Sequence, residues 1–199
     1  MNPDEVKRQW ERRSGEFSPA YYAHYGSNAT STRIRRVLDS LTCSEPAVLE
    51  LGCSSGRHLA HLYDHGYRNL SGIEINAEAL TVMEESYPAL ASCGTFYTDS
   101  IENVIPAFEN DQLDVVFSVE TLQHLHPKSD WVFEELSRIT TSHLITVENE
   151  GTEGTGVNYV NDEFPLYYRD WKQLFTDRGF VHLDCVPLQR DTFRVFRPR

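Results

Sequence analysis

The stretch Val48-Leu49-Glu50-Leu51-Gly52-Cys53-Ser54-Ser55-Gly56-Arg57-His58-Leu59 constrains this chain more than any other. An apolar run ends at Glu50 and Gly52, a turn of small residues follows, and Arg57 to Leu62 resumes at helical spacing. The pattern predicts a buried strand handing over to a helix. Gly52 and Gly56 can take backbone angles closed to other residues. Without a Cβ they let a ligand lie against the main chain, beside the unpaired N–H groups of the helix start. A phosphate would suit such a turn, but the carboxylate of Glu50 repels phosphate and favours a cation or an ammonium group. The Gly-x-x-x-Gly spacing also differs from the Gly-x-Gly-x-x-Gly that lets a pyrophosphate approach in dinucleotide-binding folds.

Two later strands repeat the theme. Leu70 to Ile75 reads as a second strand ending in Glu74, about 20 residues past the glycines, where an acid is placed to accept hydrogen bonds from two ribose hydroxyls. Thr95 to Ser100 reads as a third, ending in Asp99. Glu50, Glu74 and Asp99 would then share the carboxyl edge of a parallel sheet, where open α/β sheets bind ligands.

Glu50-Leu51-Gly52-Cys53-Ser54-Ser55-Gly56 resembles the first motif of class I S-adenosylmethionine-dependent methyltransferases, E/D-x-G-x-G-x-G, with Ser54 standing where the middle glycine is commonest. The resemblance covers residues 46 to 197. It implies an α/β fold: a three-layer αβα sandwich with a seven-stranded, mostly parallel sheet whose last strand runs antiparallel. It implies S-adenosylmethionine as methyl donor, held by Glu50, Gly52, Cys53, Ser54, Gly56, Glu74, Ile75, Asp99, Ser100 and Val119. In that family the third acid meets the adenine amino group and the next residue lends a backbone N–H to the ring, here Asp99 and Ser100 or Ile101. The expected reaction is methyl transfer to an N, O or S atom of a small molecule.

Asp114 to Val119 is apolar enough for a central fourth strand. Glu120-Thr121-Leu122-Gln123-His124-Leu125-His126-Pro127 follows, resembling the post-strand stretch of small-molecule methyltransferases that leads towards the acceptor. The N-P-P-aromatic motif of base amino methylation is absent. His124 and His126 can serve as base or orienting groups, or can cap and pack. His143 to Glu148 reads as a fifth strand, and Val181 to Leu188 and Thr192 to Phe196 as a closing hairpin.

Residues 1–45 are expected to form an N-terminal helical arm or lid on a core of residues 46–199. Asn2-Pro3-Asp4-Glu5 starts a helix to about Arg13, while Gly15 to Gly26 reads as irregular and aromatic. That segment either closes over a flat ligand, with Tyr22 and His24 joining His124 as candidate catalytic groups, or merely packs the arm onto the core. From Glu150 to Pro165 the Gly-rich sequence predicts a functional loop, and Tyr167 to Phe175 a helix closed by Gly179. Arg169 could clamp a carboxylate.

A net charge of −12 argues against a nucleic-acid partner, because phosphate binding relies on clustered Lys and Arg. No run approaches the roughly 20 apolar residues a bilayer demands, and the first residues lack a basic-then-apolar signal, so no membrane partner and a cytoplasmic location are expected. Cys43, Cys53, Cys93 and Cys185 have neither metal-ligand nor disulfide spacing, and no metal is expected. Cys53, beside a helix start that could lower its pKa, is otherwise a small residue that fits the turn. The assembly is expected to be a monomer or homodimer. Two other readings stay open: an NAD-dependent dehydrogenase, which would want the close glycine triplet, and a non-catalytic cofactor- or partner-binding protein of the same fold.

Overall fold

The computed structural model describes residues 2–41, 44–151, 156–160 and 164–199. Helix α1 (Pro3–Glu11) opens on a reciprocal cap in which Asn2 Oδ1 accepts from the Glu5 amide and the Glu5 carboxylate accepts from the Asn2 amide. Helix α2 (Pro19–Tyr25) is capped by Ser18 and α3 (Ala29–Asp39) by Asn28. The segment expected to be irregular between Gly15 and Gly26 is therefore helical from Pro19 on, because Ser18 supplies a cap and Pro19 a first-turn residue that needs no N–H partner.

The core alternates strand and helix: β1 (Val48–Leu51), α4 (Arg57–Asp64), β2 (Leu70–Glu74), α5 (Glu78–Ser86), α6 (Pro88–Cys93), β3 (Thr95–Thr98), α7 (Ile101–Val104), β4 (Leu113–Val119), α8 (Val132–Ile139) and β5 (Thr140–Glu148). A hairpin of β6 (Gly156–Val160) and β7 (Phe164–Tyr168), then α9 (Trp171–Thr176), β8 (Phe180–Pro187) and β9 (Thr192–Pro198), complete it. The main sheet has seven strands in the order β3-β2-β1-β4-β5-β9-β8. The first five run parallel, and β9 inserts antiparallel between β5 and β8. This is the expected sheet. The strand order reverses between β1, which leads outward to β2 and β3, and β4, so the crevice above those two strands is the switch point where such sheets take ligands.

Successive side chains of a strand face opposite sides, and the two cores divide accordingly. Leu49, Leu51, Val116 and Leu144 pack beneath Phe133 and Leu136 of α8 and Trp171 and Phe175 of α9. Val48, Val115, Phe117 and Ile145 pack beneath Ile34 and Leu38 of α3 and Leu59 and Leu62 of α4. Each of these fully buried side chains contributes roughly 1.5–3 kcal/mol relative to exposure.

Two further stretches differ from the sequence expectation. The described parts of the Gly-rich segment include a strand, because Gly156 to Val160 pairs antiparallel with Phe164 to Tyr168. The helix expected from Tyr167 begins only at Trp171, since Asp170 caps it by accepting from the Gln173 amide and Tyr167 and Tyr168 belong to β7. Residues 152–155 and 161–163 of the expected loop, and Cys43, lie outside the described residues. Among the described residues no helix is long and apolar enough to cross a membrane, and no group of His, Cys, Asp and Glu is arranged to hold a metal.

Candidate active site

A cavity of about 240 Å³ opens over the carboxyl ends of β1, β2 and β4. Glu50, Gly52, Cys53, Ser54, Glu74, Ile75, Asp99, Ser100 and Val119 all line it. Gly56 does not; its φ of +81° makes the turn into α4, and a Cβ there would stand 2.9 Å from Met83 Cε. Gly52 has φ +66°, and a Cβ on it would collide with Thr121 Oγ1 at 2.3 Å. Ser54 takes the left-handed conformation that glycine adopts most readily, at φ +50°.

The acids are handled in three ways. Glu50 is 1% exposed and burial, with Glu74 adding to it, drives its carboxyl well above the usual range against the pull of Arg57. Its Oε2 has no hydrogen-bond partner among the described residues. Glu74 accepts from the amides of Ser54 and Asn76, both at 2.8 Å, which offsets part of the upward push of burial. Asp99 is exposed and accepts from the Ser100 amide and Asn103 Nδ2, while the buried Ser100 hydroxyl beside it has no partner among the described residues. Cys53 is no activated thiol: burial and the neighbouring carboxylates push it up, outweighing any help from the start of α4.

The other half of the cavity is built by the stretch after β4. Glu148, fully buried at the end of β5, accepts from Ser118 Oγ at 2.5 Å and from the amides of Thr121, Leu122 and Gln123. Burial pushes it up to about 7 in spite of those donors. It thereby fixes the 3₁₀ turn Leu122–His124. His124 Nδ1 lies 2.9 Å from the Pro165 carbonyl, and burial holds this ring down to about 4. A carbonyl only accepts, so Nδ1 carries the proton and the neutral ring's Nε2 keeps the lone pair.

The arm closes the cavity with α1 more than with the segment expected to do so. Pro3, Val6, Lys7, Trp10, Arg13, Phe17, Pro19 and Tyr22 line it, whereas His24 is exposed and, like Tyr21 and Tyr25, lies outside it. Lys7 pairs with Glu102 at 3.1 Å, and Asn76 Nδ2 donates to the Arg13 carbonyl at 3.0 Å, so the arm is fastened to the core at two points. Tyr22 stacks under the Arg57 guanidinium at 4.6 Å, and burial raises its hydroxyl above the usual range. Trp10 rests 4.5 Å from the His124 ring and 4.4 Å from Phe164.

Arg169 does not face the cavity. Its guanidinium donates to the Leu125 and Tyr167 carbonyls and pairs with Asp130 at 2.8 Å, leaving it no role as a carboxylate clamp. Two lining residues carry no signal in the sequence, Arg190 and Asp191 on the β8–β9 turn. Asp191 hydrogen-bonds Glu120, and burial together with that facing charge pushes it up to about 8. Glu120 has φ +52°, a conformation a non-glycine residue keeps only where its surroundings impose it.

Residues 48–143 match a family described as methyltransferase domain. No curated protein sequence matches the chain. Among solved structures, geranyl diphosphate C-methyltransferase from Streptomyces coelicolor A3(2), in complex with Mg2+, geranyl diphosphate and S-adenosyl-L-homocysteine, superposes with a TM-score of 0.73 at 10% identity, over 99% of this chain and 98% of that one. The PH0226 protein from Pyrococcus horikoshii OT3 gives 0.66 at 17% identity, over 89% and 96%. The 1,6-didemethyltoxoflavin-N1-methyltransferase of Burkholderia thailandensis, with bound 1,6-didemethyltoxoflavin and S-adenosylhomocysteine, gives 0.65 at 14%, over 84% and 76%.

Proposed function

The chain carries a methyltransferase domain of the class I, S-adenosylmethionine-dependent kind, and from that premise we propose that it moves a methyl group onto an N, O or S atom of a small molecule enclosed between the sheet edge and the N-terminal arm. The observation that carries the reading is the single cavity with two chemically distinct halves. One is lined by Glu50, Gly52, Glu74 and Asp99, the other by Trp10, His124, Leu125 and Leu166.

The first half fits the donor. Glu50 offers an unpartnered oxygen to the ammonium, Gly52 leaves room against the main chain, Glu74 keeps lone pairs for the ribose, and Asp99 with Ser100 stands at the adenine end. S-adenosylmethionine, when bound, supplies an activated methyl on a sulfonium. The chain's own task is to align the acceptor atom and keep water out, and proximity of that kind supplies about 7 to 11 kcal/mol. A base matters only where the acceptor must lose a proton. Across the cavity from the donor half, His124 Nε2 and the carboxyl pair Glu120–Asp191 are groups that can take one.

Enclosure supports a small acceptor, because the arm roofs the cavity through α1 and is tied down at Lys7 and Arg13. The charge of −12 supports one that is not a polyanion. The test is transfer of labelled methyl from S-adenosylmethionine to a cell extract split into small-molecule, protein and RNA fractions. Label is expected in the small-molecule fraction, and label confined to RNA or protein would overturn the reading. Calorimetry should register S-adenosylhomocysteine and not NAD.

A further inference from the structure

Glu148 ends β5 beyond the segment that matches the methyltransferase domain, is fully buried, and does not line the cavity. A carboxyl shut away from water is costly unless donors surround it, so its place in the core turns on what it holds. It holds the stretch after β4. Oε1 accepts from Ser118 Oγ at 2.5 Å, from the Leu122 amide at 3.2 Å and from the Thr121 amide at 3.4 Å, and Oε2 accepts from the Gln123 amide at 3.1 Å. Three consecutive amides facing one carboxylate form a nest, a backbone shape that a negative charge holds together. Gln123 makes the return connection, its side-chain Oε1 accepting from the Asn149 amide at 2.6 Å. Side chain thus binds main chain in both directions between the turn and the end of β5.

What the nest fixes reaches into the cavity. The chain enters it through Glu120, a lining residue whose φ of +52° needs its surroundings to impose it. Thr121 then stands where a Cβ on Gly52 would go. His124, whose amide donates to the Thr121 carbonyl at 2.9 Å, is placed between this turn and the Pro165 carbonyl.

We propose that Glu148 is the positioning residue of the acceptor side: by taking the amides of Thr121, Leu122 and Gln123 it sets where Glu120 and His124 stand in the cavity, and so governs methyl transfer without touching donor or acceptor. This rests on the methyl-transfer reading above and extends it to a residue behind the cavity wall. The nest needs a charge, so it answers to pH. Burial pushes Glu148 up to about 7 against its donors, and a proton there turns one oxygen from acceptor to donor as pH falls through that value. Its ionisable neighbours are Glu120 and His124 on the turn and Arg190 and Asp191 between β8 and β9. His124 is held down to about 4, and Asp191, pushed up to about 8, is the neighbour whose titration overlaps.

Two full-length variants separate this from a plain structural role. Glu148→Ala removes every acceptor, whereas Glu148→Gln keeps one oxygen and cannot serve both ends of the nest. Transfer of labelled methyl from S-adenosylmethionine to the small-molecule fraction of a cell extract should fall about a hundredfold in the first and about tenfold in the second, while calorimetry finds S-adenosylhomocysteine affinity within about twofold of wild type. Wild-type transfer should drop as pH falls through about 7, and Glu148→Gln should lack that limb. In wild type and in Asp191→Asn, which removes the overlapping group, the amide proton signals of Leu122 and Gln123 should move upfield together over the same range. Those spectra decide even if neither Glu148 variant folds. Full transfer by Glu148→Ala, transfer and S-adenosylhomocysteine binding lost in equal measure by folded variants, or amide signals that stay put would each overturn the proposal. A wild type that binds no S-adenosylhomocysteine, or labels no small molecule, would instead bring down the underlying methyl-transfer reading.

Discussion

The amide of Ser54 donates to Oε2 of Glu74 across 2.8 Å, so the turn after β1 is held by the tip of β2. The other oxygen of Glu74 takes the Asn76 amide at 2.8 Å. One carboxylate thus braces the left-handed Ser54 and the entry to α5 while keeping lone pairs for a ligand. Glu74→Ala should lower stability by about 1–3 kcal/mol, because two backbone donors lose their acceptor, and should weaken S-adenosylhomocysteine binding more than about tenfold. Urea unfolding and calorimetry read the two effects separately. Wild-type affinity in the folded variant would put the ribose elsewhere.

Gly52 is required for two independent reasons, its φ of +66° and the Thr121 side chain where its Cβ would go. Gly52→Ala should therefore destabilise by more than about 2 kcal/mol. Trimming the obstacle with Thr121→Ala, which takes away Oγ1 and Cγ2 but leaves a Cβ 2.9 Å away, should restore part of that loss and leave the backbone strain, a coupling measurable as a double-mutant cycle. Additive single effects would show that Thr121 is not the obstacle.

The donor half of the cavity was legible because it is local. Glu50 to Gly56 and Glu74 lie at strand ends whose chemistry shows in a few adjacent residues. The other half is assembled from distance. Trp10 reads only as an apolar helix position until Phe164 is brought against it, and Asp191 reads as turn punctuation until β9 inserts beside β5 and sets it against Glu120. Arg169 misled for the same reason, since no sequence pattern announces that the Leu125 carbonyl and Asp130 will claim its guanidinium. The hairpin of β6 and β7 was obscured by glycines, which weaken a strand signal without forbidding a strand.

Asp191 sets a pH dependence. Its carboxyl titrates near 3.9 in the unfolded chain and is pushed up to about 8 in the fold, first by burial and then by Glu120. A raised acid holds its proton more tightly when folded, so its contribution is fully present below about pH 4 and is lost as pH rises through about 8. Asp191→Asn mimics the protonated form and can donate to Glu120 at every pH. Urea midpoints should fall less for the variant than for the wild type between about pH 5 and 8. Parallel curves would mean the pair is not proton-sharing.

His124 should not behave as an ordinary histidine. The Pro165 carbonyl 2.9 Å from Nδ1 can only accept, which fixes the proton there, and burial outweighs that bond and holds the ring down to about 4. The folded ring stays neutral while an unfolded one would charge near 6.5. Its contribution to stability is therefore complete above about pH 6.5 and fades as pH falls towards about 4. In ¹⁵N spectra the imidazole should show an unprotonated Nε2 and no titration between about pH 5.5 and 8. Any inflection of turnover near neutrality should then survive in His124→Gln and belong to other groups. If Nε2 takes the proton to the acceptor, turnover in that variant should drop by about a hundredfold with S-adenosylhomocysteine affinity unchanged. A ring that titrates near 6.5 would show that burial does not hold it down, and His124 would lose its standing as a neutral acceptor group in the cavity.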